Sequence, residues 1–127
     1  MALLRRMGEQ MGYEVTQEGA MAGRCRSDHR WIKEHGSGVY IEHENRCDAK
    51  IDGEIQKLCN DVSKLKVLIT YVCDTNFDDN VGQLTERIRT AMRNYRATFT
   101  GELLLIVAGE HEQEWEAHIS ALRMEPL

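Results

Sequence analysis

Two short, almost wholly apolar segments constrain the fold of this 127-residue chain more than any other feature. They are residues 67–73 (VLITYVC) and 103–108 (LLLIVA). Strands of a parallel sheet that helices cover on both faces show this continuous apolar pattern. Between the two segments, apolar side chains recur at the spacing of one helix face: Val81, Leu84, Ile88, Met92 and Tyr95. A strand, a crossover helix and a second strand predict two parallel strands of one sheet.

The N-terminal part of the chain carries shorter and more polar elements. Apolar residues at helical spacing predict a first helix over about residues 2–12, and residues 13–16 predict a short strand. Residues 26–32 and 39–45 predict two further strands. The segment between them, residues 33–38 (KEHGSG), has the composition of a turn. These two strands are therefore expected to form an antiparallel hairpin.

A second helix is expected after the hairpin, because apolar side chains again recur at helical spacing: Ile51, Ile55, Leu58, Cys59, Val62 and Leu65. Asp52 is its candidate cap. Residues 74–80 form a polar connection, and the C-terminal tail alternates apolar and polar residues like an edge strand. The predicted fold class is α/β, with a mixed central β-sheet flanked by helices, in the order α-β-β-β-α-β-α-β-(β). Residues 1–127 are expected to form a single domain.

The composition is that of an ordinary globular protein, with 42% hydrophobic and 29% charged residues and a single proline. No apolar run is long enough to predict a membrane span, and the first residues lack the features of a signal peptide. Cys59 and Cys73 fall inside apolar patterns and are expected to be reduced core thiols. A cytoplasmic location is therefore expected, and the early first helix is compatible with a domain excised from a longer protein.

Two acidic residues, Glu42 and Glu44, lie in the predicted third strand. Because side chains alternate between the faces of a strand, the two carboxylates point the same way, about 7 Å apart. If the hairpin is centred on His35, Asp28 lies directly opposite Glu42, with Cβ atoms about 5 Å apart. A slip of one residue would place Asp28 on the other face.

Asp28, Glu42 and Glu44 together would form a group of three carboxylates. Hard oxygen ligands of this kind suit Mg²⁺ or Mn²⁺. Such an ion polarises a phosphoryl oxygen and activates a water for in-line attack. The chemistry that these residues predict is metal-assisted hydrolysis of a phosphodiester.

An Asp on the second strand, Glu-x-Glu on the third, an amphipathic helix and a buried strand resemble the PD-(D/E)XK, or restriction-endonuclease-like, nuclease superfamily. The resemblance covers the order of elements over most of the chain, and the motif residues lie within 28–57. It implies that Asp28 and Glu42 hold the metal and that DNA is the substrate. It also implies that Glu44 occupies the position of the family's lysine. Because so small a domain has little surface for reading a sequence, specificity is expected to need a homodimer or a larger protein context.

The chain departs from the family pattern in two places. Ser27 stands where the family has its often-missing proline, and Glu44 replaces the lysine, as in a minority of restriction enzymes. In those enzymes the second carboxylate binds metal or orients water. Lys57 on the following helix is the candidate replacement lysine, which would stabilise developing negative charge. Glu9 on the first helix is a further acidic candidate.

Other interpretations of these residues stay open. Glu42 and Glu44 are also compatible with the solvated face of a half-buried strand, and Lys57 with a solvated helix lysine. The missing lysine and the net charge of −5 are compatible with a non-catalytic module that serves DNA docking or protein assembly. Arginines at positions 89, 93 and 96 share one helix face, where they would bind phosphates or only keep the helix soluble.

A zinc site is the alternative metal centre. Cys25 and His29, and His43 and Cys47, are each separated by four positions and are typical zinc ligands. On strands, however, residues four apart are about 13 Å apart and cannot chelate one ion together. The predicted strands therefore argue against zinc.

Overall fold

The computed structural model describes residues 2–18, 28–32, 38–44, 51–72, 76–111 and 114–124. Within these ranges the chain forms three helices and six strands in the order α1 (Ala2–Gln10), β1 (Glu14–Glu18), β2 (Asp28–Ile32), β3 (Val39–Glu44), α2 (Ile51–Asn60), β4 (Leu65–Tyr71), α3 (Phe77–Asn94), β5 (Glu102–His111) and β6 (Glu114–Arg123). The predicted mixed α/β architecture, a mixed sheet flanked by helices, is confirmed. None of the helices in these ranges combines the length and the apolar character that crossing a membrane requires.

The six strands form one sheet in which their spatial order is their order along the chain. β1, β2 and β3 pair antiparallel, β3 with β4 and β4 with β5 pair parallel, and β5 with β6 pairs antiparallel. Each parallel pair is connected through a helix, as such pairs require. β3 and β4 therefore lie at the centre of the sheet, where both faces are available for packing.

The larger core lies between one face of the sheet and helices α2 and α3. Tyr40 of β3 and Leu68 of β4 contribute to it from the sheet. Its fully buried side chains also include residues of both helices and of β5: Ile51, Leu58, Ile88, Leu103 and Leu105. Because side chains alternate along a strand, Glu42 and Glu44 of β3 face the same side as Tyr40.

The smaller core lies on the opposite face of the sheet, which α1 covers in part. It contains Leu4 of α1 and apolar residues of β2, β3 and β4: Trp31, Val39, Ile41 and Val67. Gly8 lets α1 approach the sheet closely, because a Cβ atom at this position would lie 2.6 Å from a methyl carbon of Val15.

Cys59 is a free thiol buried in the larger core, as its apolar surroundings in the sequence predicted.

Helix α2 ends earlier than the apolar pattern predicted. It stops at Asn60, Leu65 begins β4, and Val62 is 76% exposed. The carboxylate of Asp61 accepts a hydrogen bond from the backbone N–H of Ser63 at 2.9 Å. This side-chain bond competes with the helical hydrogen bonds and turns the chain towards β4. Asp52 is also not a cap, because it lies inside the first turn of the helix.

Helix α3 begins earlier than predicted, since Phe77 to Asn80 are helical rather than part of a polar connection. Phe77 packs against the larger core and thereby holds this first turn on the sheet. Asp78 and Asp79 lie in the same turn, where negative charge interacts favourably with the helix dipole. Their polarity obscured the helix start in the sequence.

Gly101, which precedes β5, lies close to the backbone of Lys64, and Gly12, which precedes β1, provides a matched control for this close approach. Both have positive φ angles, +74° and +82°, but only at Gly101 would a Cβ atom meet the backbone, 2.0 Å from the carbonyl oxygen of Lys64. We expect Gly12→Ala to cost about 1–2 kcal/mol through backbone strain alone. We expect Gly101→Ala to cost about 3 kcal/mol or more, because the clash adds to that strain. Urea unfolding measures both, and equal losses would contradict this account of the connection.

Candidate functional site

The register of the β2–β3 hairpin decides which residues can form a site together. The observed partners are His29 with Ile41, Arg30 with Tyr40, and Trp31 with Val39. In each pair the two positions are equally distant from position 35, the centre that was assumed for the hairpin. The observed pairs end at His29 with Ile41, and one further pair in the same register would bring position 28 opposite position 42, on the same face of the sheet.

Asp28 itself lies in β2, where its backbone is also aligned with Glu18 of β1. The side chain of Asp28 lies outside the described part of the structure. The three predicted acidic positions therefore share one face by register, and two of them, Glu42 and Glu44, have described side chains.

Glu42 does not belong to a solvated strand face, because it is only 1% exposed. Its Oε1 atom accepts a hydrogen bond from the hydroxyl of Tyr40, which is itself buried. Glu44 is half-buried at the end of β3, and its carbonyl oxygen accepts a 2.8 Å hydrogen bond from the hydroxyl of Thr70. The acidic positions thus run from the interior of the protein towards its surface.

A second polar group, Arg30, lies beside Tyr40. Its guanidinium carbon is 4.3 Å from the centroid of the Tyr40 ring, and its Nη1 atom is 2.6 Å from Oδ1 of Asp61. Burial alone would raise the pKa of Asp61, but the hydrogen bonds from Ser63 and the Arg30 guanidinium outweigh burial and hold this pKa below its usual value. Arg30 and Asp61 therefore form a charged pair at the border of the larger core.

Lys57 projects from α2 and contacts Glu54 one turn earlier. Its Nζ atom lies 3.5 Å from Oε1 and from Oε2 of Glu54. Glu54 is buried, whereas the Lys57 side chain is 43% exposed. Lys57 therefore lies on the helix that packs over the larger core. Its ammonium group contacts Glu54, which was not among the predicted site residues.

Lys66 is a buried lysine that the apolar pattern of the sequence concealed. Its ammonium group donates to the carbonyl oxygen of Thr100 and lies 4.1 Å from the centroid of the Phe99 ring. Burial lowers its pKa, which the nearby Asp61 carboxylate partly opposes. In the β3–β4 register, Lys66 is aligned with Tyr40, whereas Thr70 is aligned with Glu44. Because these two pairs are four residues apart along the strands, the backbone of Lys66 is about 13 Å from that of Glu44. It therefore does not replace the lysine that the family pattern would place at position 44.

His43 belongs to the opposite face of the sheet. Its Nε2 atom lies 3.1 Å from the hydroxyl oxygen of Tyr71, and burial lowers its pKa. His29 and His43 both lie in strands, as the argument against zinc required, while Cys25 and Cys47 lie outside the described residues. Among the side chains that are described, no group of three or more His, Cys, Asp or Glu residues is placed to hold a metal ion.

Two of the three arginines predicted to share a helix face, Arg89 and Arg93, lie in α3 near the end of β6, whereas Arg96 lies beyond the end of α3 at Asn94. Arg89 and Arg93 line a small depression there together with Arg123. Arg123 is 3.1 Å from a carboxylate oxygen of Glu102.

A separate groove of about 550 Å³ runs between α2 and α3. Two of its lining residues, Arg87 and Asp52, form an ion pair of 2.6 Å. Neither depression includes Glu42 or Glu44.

The chain matches no model of a known protein family, and no curated protein is significantly similar to it. The functional interpretation therefore depends on the geometry of β2, β3 and α2. The sequence had suggested Arg30 only as a possible salt-bridge partner of Asp28, and the contacts of Arg30 with Tyr40 and Asp61 and of Tyr40 with Glu42 were missed. Tyr40 precedes Glu42 by two positions on the same strand face, and the register centred on position 35 places Arg30 opposite Tyr40.

The Arg30–Asp61 pair predicts a specific dependence of stability on pH. The folded-state pKa of Asp61 is lowered, so this carboxylate stabilises the protein above its unfolded-state pKa of about 3.9 and loses that effect as pH falls through the folded value. We expect Asp61→Asn to cost about 2 kcal/mol at pH 6. This difference from wild type should shrink between pH 5 and the acid limit of folding.

Urea unfolding of both proteins across this pH range measures the effect. The control is Asp52→Asn, which removes an exposed acid that is also 2.6 Å from an arginine and should cost less than about 1 kcal/mol. A cost of Asp61→Asn that is independent of pH would contradict the assignment.

Proposed function

We propose that this chain is a phosphodiesterase of restriction-endonuclease-like fold that depends on Mg²⁺ or Mn²⁺ and cleaves DNA. The observation that carries the proposal is the burial of Glu42, which is 1% exposed in β3. One further pair in the observed β2–β3 register would bring the position of Asp28 opposite it. A buried carboxylate needs hydrogen bonds, an ionic partner or a metal, and a carboxylate that accepts the Tyr40 hydroxyl at Oε1 can also bind a metal. An acid of this kind on the third strand, facing a second acidic position, supports a metal site.

The donor set supports a hard cation. Asp28, Glu42 and Glu44 offer only carboxylate oxygens, which Mg²⁺ and Mn²⁺ prefer over the nitrogen and sulfur ligands typical of zinc. In the proposed site Asp28 and Glu42 hold the ion, and Glu44, half-buried at the end of β3, binds it or orients a water. The bound ion would polarise a phosphoryl oxygen and lower the pKa of the attacking water.

Lys57 is proposed to stabilise the negative charge that develops on the phosphate. Its contact with the buried Glu54 limits the positions that its long side chain adopts. The Lys57 side chain is 43% exposed, and its role requires that the ammonium group reach a bound substrate. Lys57 would thus supply from α2 the charge that the family pattern places at position 44.

The order of elements supports the restriction-endonuclease-like assignment, because an antiparallel β1–β2–β3 unit is followed by a helix and the parallel strand β4. DNA is the substrate class that the resemblance implies.

We further propose a cytoplasmic location, in keeping with the free thiol of Cys59. Sequence preference would come from a homodimer or from a larger protein context.

The metal site is tested by calorimetric titration of Mg²⁺ and Mn²⁺ into the wild type, Glu42→Gln and Asp28→Asn. We expect binding to the wild type and at least about tenfold weaker binding to both variants, because each loses a ligand charge. The control is Glu86→Gln, which removes an exposed acid on α3 and should leave the affinity unchanged. Equal affinities in all four proteins would refute the site.

The same proteins are assayed for cleavage of plasmid and single-stranded DNA. Cleavage that persists unchanged in Asp28→Asn and Glu42→Gln would sink the catalytic assignment. Metal binding without cleavage of either substrate would instead favour the non-catalytic module. The replacement of the family's lysine by Glu44 is also compatible with that alternative.

The role of Lys57 is tested with Lys57→Met. We expect kcat for DNA cleavage to fall about 100-fold while the Mn²⁺ affinity stays within twofold of wild type, because the lysine acts on the substrate and not on the metal. Lys64→Met, which changes an exposed lysine between α2 and β4, is the matched control and should retain the wild-type kcat. An unchanged kcat in Lys57→Met would show that Lys57 is only a solvated helix residue.

A further inference from the structure

The hydroxyl of Tyr40 donates a hydrogen bond to Oε1 of Glu42. We propose that Tyr40 is a positioning residue, which orients the Glu42 carboxylate so that it can bind the metal ion. This inference rests on the proposed metal-dependent function and assigns a new residue to the same site. Tyr40 does not belong to the acidic motif, and it acts through Glu42 without touching the substrate.

The ring of Tyr40 is held by its surroundings. It is 3% exposed and belongs to the larger core, which also contains Ile51, Ile55 and Leu58 of α2. A tyrosine packed in this way keeps one side-chain rotamer, so its hydroxyl stays at one place. The acceptor is two residues further along the same strand face, which is the nearest same-face position on β3.

Arg30 holds the ring from the neighbouring strand. Its guanidinium carbon lies 4.3 Å from the ring centroid of Tyr40, its direct cross-strand partner. The guanidinium is itself bound to Asp61 at 2.6 Å, and Asp61 accepts the backbone N–H of Ser63 at 2.9 Å. A chain of contacts thus leads from the α2–β4 connection through β2 to the carboxylate on β3.

Tyr40 and Arg30 are arranged as residues that orient a metal ligand, here the carboxylate of Glu42. A hydrogen bond to one carboxylate oxygen restricts the rotation of the carboxylate and thereby sets the place of the other oxygen. Partners of this kind typically contribute a factor of about 10–100 to metal affinity. If Tyr40 only filled the core, removing its hydroxyl would change the stability of the protein and leave the metal affinity of the folded protein unaltered.

The experiment compares Tyr40→Phe with Tyr71→Phe. Tyr71 lies on β4, and its hydroxyl contacts His43 on the other face of the sheet, so Tyr71→Phe removes a comparable hydroxyl without touching Glu42. Mn²⁺ binding is measured by calorimetry and by the electron paramagnetic resonance signal of free Mn²⁺, on proteins whose folding is verified by circular dichroism. We expect the dissociation constant to rise about tenfold in Tyr40→Phe and to stay within twofold of wild type in Tyr71→Phe.

A positioning role also predicts how activity responds to metal concentration. Tyr40→Phe should regain most of the wild-type kcat at saturating Mg²⁺, with an unchanged KM for DNA, because the ligand itself is still present. A variant that lacks the ligand, Glu42→Gln, should not be restored by added Mg²⁺.

The possible outcomes separate this inference from the proposed function. If the wild type binds Mn²⁺ and folded Tyr40→Phe binds it equally well, the positioning role is overturned and the metal site stands. If neither the wild type nor Tyr71→Phe binds Mn²⁺, both proposals are overturned. If Tyr40→Phe does not fold, Arg30→Lys replaces it, since a lysine keeps the charge but lacks the planar group over the ring. We then expect about threefold weaker Mn²⁺ binding, and an unchanged affinity overturns the inference.

Discussion

The alternation of side chains along β3 is the constraint on which the rest of the structure depends. β3 lies between the antiparallel strand β2 and the parallel strand β4, and each of its faces contributes to one of the two cores. Val39 and Ile41 enter the smaller core, while Tyr40 and Glu42 face the side of the larger core. A register slip of one residue would exchange the two sets and bury the acids against α1. The apolar side chains that build the two cores thus also select the face on which the acidic residues lie.

The side of the sheet that carries Glu42 holds several buried polar groups, among them Glu42, Asp61 and Lys66. Two of them interact with a group of another part of the fold: Asp61 with Arg30, and Lys66 with the carbonyl oxygen of Thr100. Such pairing offsets the cost of removing charges from water but seldom adds much net stability. Lys66 lies towards the start of β4, whereas Glu44 lies at the end of β3 beside Thr70. The parallel alignment of these strands therefore separates Lys66 from Glu44, and the contact of its ammonium group with Thr100 holds it in the core.

The candidate site was predictable from the sequence where it depended on strand geometry. That the acids at positions 42 and 44 share one strand face follows from local alternation, and the hairpin itself follows from turn composition, which need no knowledge of the remaining fold. The hairpin centre at position 35 was assumed, and the observed pairs agree with it. The burial of Glu42 was not predictable, since it depends on where α2 packs. The contact of Lys57 with Glu54 likewise became visible only with the helix in place, because a helix residue has several neighbours at comparable spacing.

The mixed α/β architecture was predictable from the sequence, because hydrophobic periodicity and turn residues act over a few positions. The end of α2 at Asn60, the pairing of Arg30 with Asp61 and the contact of Tyr40 with a buried Glu42 depend on tertiary packing. Arg30 and Asp61 lie far apart in the chain, and no local pattern links them. They meet because the packing of α2 against the sheet brings the α2–β4 connection beside β2, and this packing also determines how the proposed metal ligand is held.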